Sequence, residues 1–154
     1  MLKYMCKITS DGFIEVDVTS AMIAEAEKRN KEFFKKCGHS GTYRKDKSRQ
    51  RITGYLAESA INSICPFLIY SDDPSVDFVC GSLTFDAKAQ GCNTEPRSNF
   101  SATLYENQAD RNVDYLIFCR VKNDNKKVWI CGLIEKKKFL EKAKYCAVGT
   151  KNNN

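Results

Sequence analysis

A mixed α/β fold, one sheet flanked by helices, follows from three features of the chain. Short segments alternate apolar and polar residues with period two, as half-buried strands do. Longer segments repeat apolar residues every three or four positions, the mark of a helix packed by one face. Two unbroken apolar runs near the C-terminus, residues 114–121 and 128–134, suit strands covered on both sides. At 154 residues the chain holds one domain with one core.

Residues 14–18 place Ile14, Val16 and Val18 on one side and predict a short strand. Thr19 or Ser20 caps a helix over 22–36, whose Ile23, Ala26, Phe33 and Phe34 form one stripe. Gly38 and Gly41 stop it. Residues 43–51 are basic and poor in apolar side chains, which predicts a mobile loop. A second helix runs from Thr53 or Gly54 to Cys65, burying Leu56, Ala60, Ile61 and Ile64, and Pro66 ends it. Residues 67–70 form a short strand, and Ser71, Asp72, Asp73 and Pro74 turn the chain.

The stretch 76–90 is the most informative. Two alternating segments, 76–80 and 83–88, flank Gly81 and Ser82, a pair that predicts a two-residue hairpin turn of type II′. That turn sets Cys80 opposite Leu83, Val79 opposite Thr84, Phe78 opposite Phe85 and Asp77 opposite Asp86. Lys88 and Gln90 share the face of Asp86, while Phe85, Ala87 and Ala89 point the other way. Opposed like charges destabilise a hairpin, and a divalent metal would compensate them. Beyond it, 91–97 is a loop and 100–111 is weakly helical at best. Asn123 to Asn125 turns between the two apolar runs, and 135–145 is the last helix. The single domain thus divides into a basic strand-helix extension (1–52), a core (53–146) and a flexible tail (147–154).

With 42% hydrophobic and 29% charged residues, the composition is that of a soluble globular protein. No apolar run approaches the roughly 20 residues of a membrane span, and the first residues lack the apolar stretch of a signal peptide, so a cytoplasmic location with no membrane partner is expected. The eight cysteines contain no C-x-x-C pair and several sit in apolar patterns, which predicts reduced thiols packed as small apolar groups. Net charge is +6, yet residues 28–51 alone hold ten basic side chains against two acidic ones. Such a concentration suits a polyanion, and Arg44, Lys45, Lys47, Arg49 and Arg51 are the candidate nucleic-acid contacts.

Glu58 on the second helix, Asp77 on the first hairpin strand and Asp86-Ala87-Lys88 on the next come in a telling order. The set resembles the PD-(D/E)XK nuclease superfamily of restriction-endonuclease-like and Holliday-junction-resolvase-like proteins, over about residues 53–145. Val76 stands where that family's Pro would be, and Asp86 where Glu is commoner. The resemblance implies a restriction-endonuclease-like sheet and a nuclease hydrolysing phosphodiester bonds in DNA, as an endonuclease or a structure-specific enzyme. Small stand-alone members look similar to virus-encoded accessory nucleases, for which the location would be the host-cell cytoplasm.

The chemistry fits those residue types. Mg²⁺ or Mn²⁺ neutralises charge developing on the phosphate and acidifies a bound water. Hard oxygens are its ligands, here Asp77, Asp86, the Ala87 carbonyl and Glu58. Lys88 would orient or help deprotonate the attacking water, and Gln90 would position a water or the phosphate. The expected partner is DNA, and cutting two strands would take a homodimer. His39 has no partner implied, Tyr105 and Gln108 read as structural, Lys136 to Lys138 as solvated, and Trp129 as core. The alternatives are a non-catalytic nucleic-acid-binding module on the same fold, or a protein-protein interaction or inhibitor domain.

Overall fold

The computed structural model describes residues 6–37 and 45–146, with the side chains of Cys37, Lys45 and Asp46 left out. Among them, seven strands form one mixed sheet: β1 (Cys6–Ile8), β2 (Ile14–Asp17), β3 (Ile69–Tyr70), β4 (Phe78–Cys80), β5 (Leu83–Cys92), β6 (Tyr115–Lys122) and β7 (Lys127–Glu135). The helices are α1 (Ser20–Cys37), α2 (Lys45–Ile64), α3 (Glu106–Ala109) and α4 (Lys136–Lys142). The sheet order is β1-β2-β7-β6-β5-β4-β3. Every pairing is antiparallel except β5 with β6, so the chain must cross from one end of the sheet to the other over residues 93–114.

Burial divides the sheet into two faces. Val16, Phe85, Ile117, Cys119, Val121 and Val128 pack with Met22 and Ala26 of α1 and with Leu56, Ala57, Ala60 and Ile61 of α2. On the opposite face a smaller cluster joins Val76, Val113 and Leu116 to Phe118 and to Phe139 of α4. Ile117, Cys119 and Val121 of β6 thus face one cluster and Leu116 and Phe118 the other, and Trp129 is buried as predicted. The run 128–134 is covered on both sides only in its first half. Beyond Ile130 it has no β2 partner, and Leu133 is 59% exposed.

The hairpin closes with three of the four predicted pairs, Phe78 opposite Phe85, Val79 opposite Thr84 and Cys80 opposite Leu83, while Asp77 lies before β4 and is not paired with Asp86 in the ladder. Gly81 takes φ 59° while Ser82 stays at negative φ, the pattern of a II′ turn. β5 runs on through Gly91 and Cys92, because β6 pairs with it along its whole length, where the sequence suggests a loop.

The larger correction concerns residues 45–51, which continue α2 and do not form a loop. Lys, Arg and Gln are good helix formers, so an apolar-poor segment need not be irregular. Contacts with α1 fix it: Asn30 donates to Ser48 Oγ at 2.8 Å, and the Arg51 guanidinium lies 3.8 Å from the Phe33 ring centroid. The N-terminal region is equally part of the one sheet, since β2 pairs with β7. β1, too short to stand out in the sequence, pairs with β2 at the edge. The seven cysteines described are free thiols, Cys92 and Cys119 buried among them. Among the described residues no helix is long and apolar enough to cross a membrane.

Leu56 sits at the centre of the main core with no exposed surface, so Leu56→Ala should cost about 2–5 kcal/mol in urea unfolding. Leu133→Ala, on the uncovered half of β7, should change stability by no more than about 0.5 kcal/mol. Equal losses would show that the β7 edge is covered.

Candidate active site

The two hairpin strands part just where the acids lie. Asp77 N–H still donates to the Phe85 carbonyl at 3.0 Å. One step on, Ala87 N–H donates to the Asp77 carboxyl at 2.7 Å, so a side chain takes the place of a ladder carbonyl. The fork is lined on one side by Asp86 and approached from α2 by Glu58. Burial leaves Asp86 2% and Glu58 8% exposed.

Two of the three carboxyl groups have a cation at pairing distance. Lys88 Nζ lies 2.6 Å from Asp86 Oδ2, and Arg29 of α1 lies 2.7 Å from Glu58 Oε2. Arg29 is itself held over the rings of Tyr55 (4.2 Å) and Tyr70 (5.3 Å). Asp77 has no such partner among the described residues. Burial, the nearby Glu58 and a hydrogen bond to the Asp86 carboxyl push its pKa up to about 8, against which the Ala87 N–H works. Burial also raises Glu58, with Asp86 adding to the rise and Arg29 opposing it.

Lys136 is the second cation that sequence reasoning missed. It is 7% exposed, not solvated, because α4 starts directly from β7 and turns its first side chain inward. Its Nζ donates to the Arg111 carbonyl and its N–H to that of Asp114 at 2.9 Å. Burial lowers its pKa, and the Asp86 carboxylate opposes that fall.

Beside the fork opens a cleft of about 740 Å³. Ala87, Lys88 and Gln90 line it, and Gln90 is anchored by donating to Thr103 Oγ1 of the crossing segment. Of the candidate nucleic-acid contacts, Arg49 lines the cleft, Lys47 is exposed on α2, and Arg51 packs on Phe33 outside it. Arg44 and His39 lie outside the described residues, as does the Lys45 side chain. Tyr105 and Gln108, which the sequence suggests are structural, line the cleft, and Tyr105 is 74% exposed. Arg97 and Arg120 line it too. Arg120 had a signal, a lone guanidinium inside the apolar run of β6; Arg97 and Arg29 had none.

Among the described residues no three His, Cys, Asp or Glu side chains are grouped to hold a metal by themselves. Mg²⁺, however, typically uses one or two protein carboxylates and retains several waters. Asp77 and Asp86 supply two hard oxygen donors, and Asp77 takes up a proton where a cation is wanting. Asp86 Oδ2, though close to Lys88, is buried without a well-directed hydrogen bond. That donor set fits a hard divalent ion. No protein-family model, curated protein or solved structure matches the chain.

Asp77 holds its proton to about pH 8 when folded and releases it near the ordinary 3.8 when unfolded. Between those values the folded state binds more protons, so this group makes stability fall as pH rises. In EDTA the wild-type melting temperature should drop between pH 5 and 8. Asp77→Asn, which imitates the protonated carboxyl, should flatten that drop. A mutant curve as steep as the wild type would remove Asp77 as its source.

Proposed function

We propose that this protein is a metal-dependent nuclease of the PD-(D/E)XK type, hydrolysing phosphodiester bonds in DNA on a restriction-endonuclease-like sheet. One observation carries the reading. A helix-borne Glu58, Asp77 and the Asp86-Ala87-Lys88 element meet at the point where β4 and β5 part, beside a cation-lined cleft. A solvated set of charges would have no reason to be buried together, given the cost of removing carboxylates from water.

Asp77 and Asp86 would hold Mg²⁺ or Mn²⁺, with Glu58 and the Ala87 carbonyl completing the oxygen set. The ion supplies neutralisation of the charge that builds on the phosphate. Every other contribution comes from the chain. Arg29 opposes the rise that burial and Asp86 give the Glu58 pKa, and so favours its carboxylate. Lys88 bridges the buried Asp86 and the cleft wall, so its ammonium reaches both the acid pair and an entering phosphate. From there it orients the attacking water and stabilises the pentacoordinate charge. Gln90, fixed by Thr103, lines the cleft, where its carbonyl and remaining amide hydrogen would position a water or the phosphate.

A non-catalytic nucleic-acid-binding module is the second reading, since the basic cleft alone would serve it. Incubation with labelled DNA structures in Mg²⁺, Mn²⁺ or EDTA separates the two. Asp86→Asn and Lys88→Ala should each lower metal-dependent cleavage by about 10²–10⁴-fold. Far-ultraviolet circular dichroism should be unchanged in both. Cleavage by either variant at wild-type rate would remove the catalytic assignment.

A further inference from the structure

The cleft beside Lys88 has an unusual lining. Arg49, Arg97 and Arg120 line it, and no aspartate or glutamate does. Among the described residues none of the three makes an ion pair. Arg49 donates to the Asn123 carbonyl at 3.1 Å and Arg120 to the Ser101 carbonyl at 2.6 Å, both neutral acceptors. Such contacts fix the direction of a guanidinium and leave its charge uncompensated. Unneutralised arginines in a concave site, two of them oriented, call for an anion, and phosphate suits their planar fork.

The same cleft carries aromatic rings that the fold does not consume. Tyr105 is 74% and Phe100 38% exposed, and both stand on the segment that crosses between β5 and β6. Arg120 lies 5.5 Å from the Phe100 ring centroid, which steadies that ring in place. Exposed rings interleaved with cations form a stacking platform for bases. In a duplex the base faces are already stacked on one another, so rings inside a cleft would meet nothing they can use. The volume, about 740 Å³, is that of a pocket for a small ligand, with room for unstacked nucleotides. A paired helix would have to lie across its mouth.

We propose that this cleft receives an unpaired nucleic-acid strand, its phosphates on Arg49, Arg97 and Arg120 and its bases stacked on Phe100 and Tyr105, leading a backbone to Lys88. The substrate class is then a single strand, or the single-stranded part of a flap or frayed end. As the path to a cleavage site this rests on the nuclease reading, but strand binding itself needs no metal.

The test is fluorescence polarisation in EDTA at low salt, with labelled single-stranded DNA, RNA of the same sequence, and the matching DNA duplex. A single strand should bind at least about tenfold tighter than the duplex, and the DNA and RNA arms identify its sugar. Phe100→Ala and Tyr105→Ala should each weaken single-strand binding by roughly 5- to 100-fold. Tyr105→Phe, which keeps the ring, should retain it, and duplex binding should barely change. Duplex affinity equal to that of the single strand, or alanine variants that bind single strands like the wild type, overturns the proposal. Asp86→Asn separates the two claims, for it should bind strands normally and cut none. Strand preference without any metal-dependent cleavage would remove the nuclease reading alone. Cleavage without strand preference would remove the strand path alone.

Discussion

The hydrogen bond from Ala87 N–H to the Asp77 carboxyl is the contact on which the site depends. A hairpin that kept its ladder would cover both strands' polar groups and leave no opening. Here the Asp77 side chain supplies the acceptor, so β4 and β5 separate without stranding a buried N–H. The gap so made holds Asp86 and admits Glu58 from α2. The same exchange buries the Asp77 carboxyl beside two others, which is why it takes up a proton. The opening of the strands and the proton on Asp77 thus trace to the same side chain.

Helix α1 is part of that arrangement. Arg29 of α1 reaches Glu58 from between Tyr55 and Tyr70, one ring from α2 and one from β3. Without it Glu58 would be a buried acid with only the charge of Lys88 against its burial, an arrangement costly enough to displace the side chain or its proton. A core beginning at residue 53 would therefore lack a component of its own site. Lys136 does similar service from the far face, where its charge bears on Asp86.

Much of this was legible in the chain because it rests on local rules. Gly81-Ser82 fixes the turn, the turn fixes the register, and period two then places Asp86, Lys88 and Gln90 on one face. The apolar runs of β6 and β7 and the stripe on α2 likewise announce themselves. What escaped depends on distant partners. Residues 45–51 look like a loop until Asn30 and Phe33 are brought beside them. Lys136 looks solvated until β7 delivers it inward, and Arg29 is one basic residue among ten. The cleft escaped for the same reason, since Arg49, Arg97 and Arg120 come from three separate elements and no periodicity links them.

The central claim is that Asp77 and Asp86 share a divalent cation that takes the place of the Asp77 proton. Calorimetric titration of Mn²⁺ at neutral pH, repeated in buffers of different ionisation enthalpy, counts both ions bound and protons released. The account predicts a single site with close to one proton released per ion, and no such site in Asp86→Asn. Absence of binding, or binding that releases no proton, would contradict it.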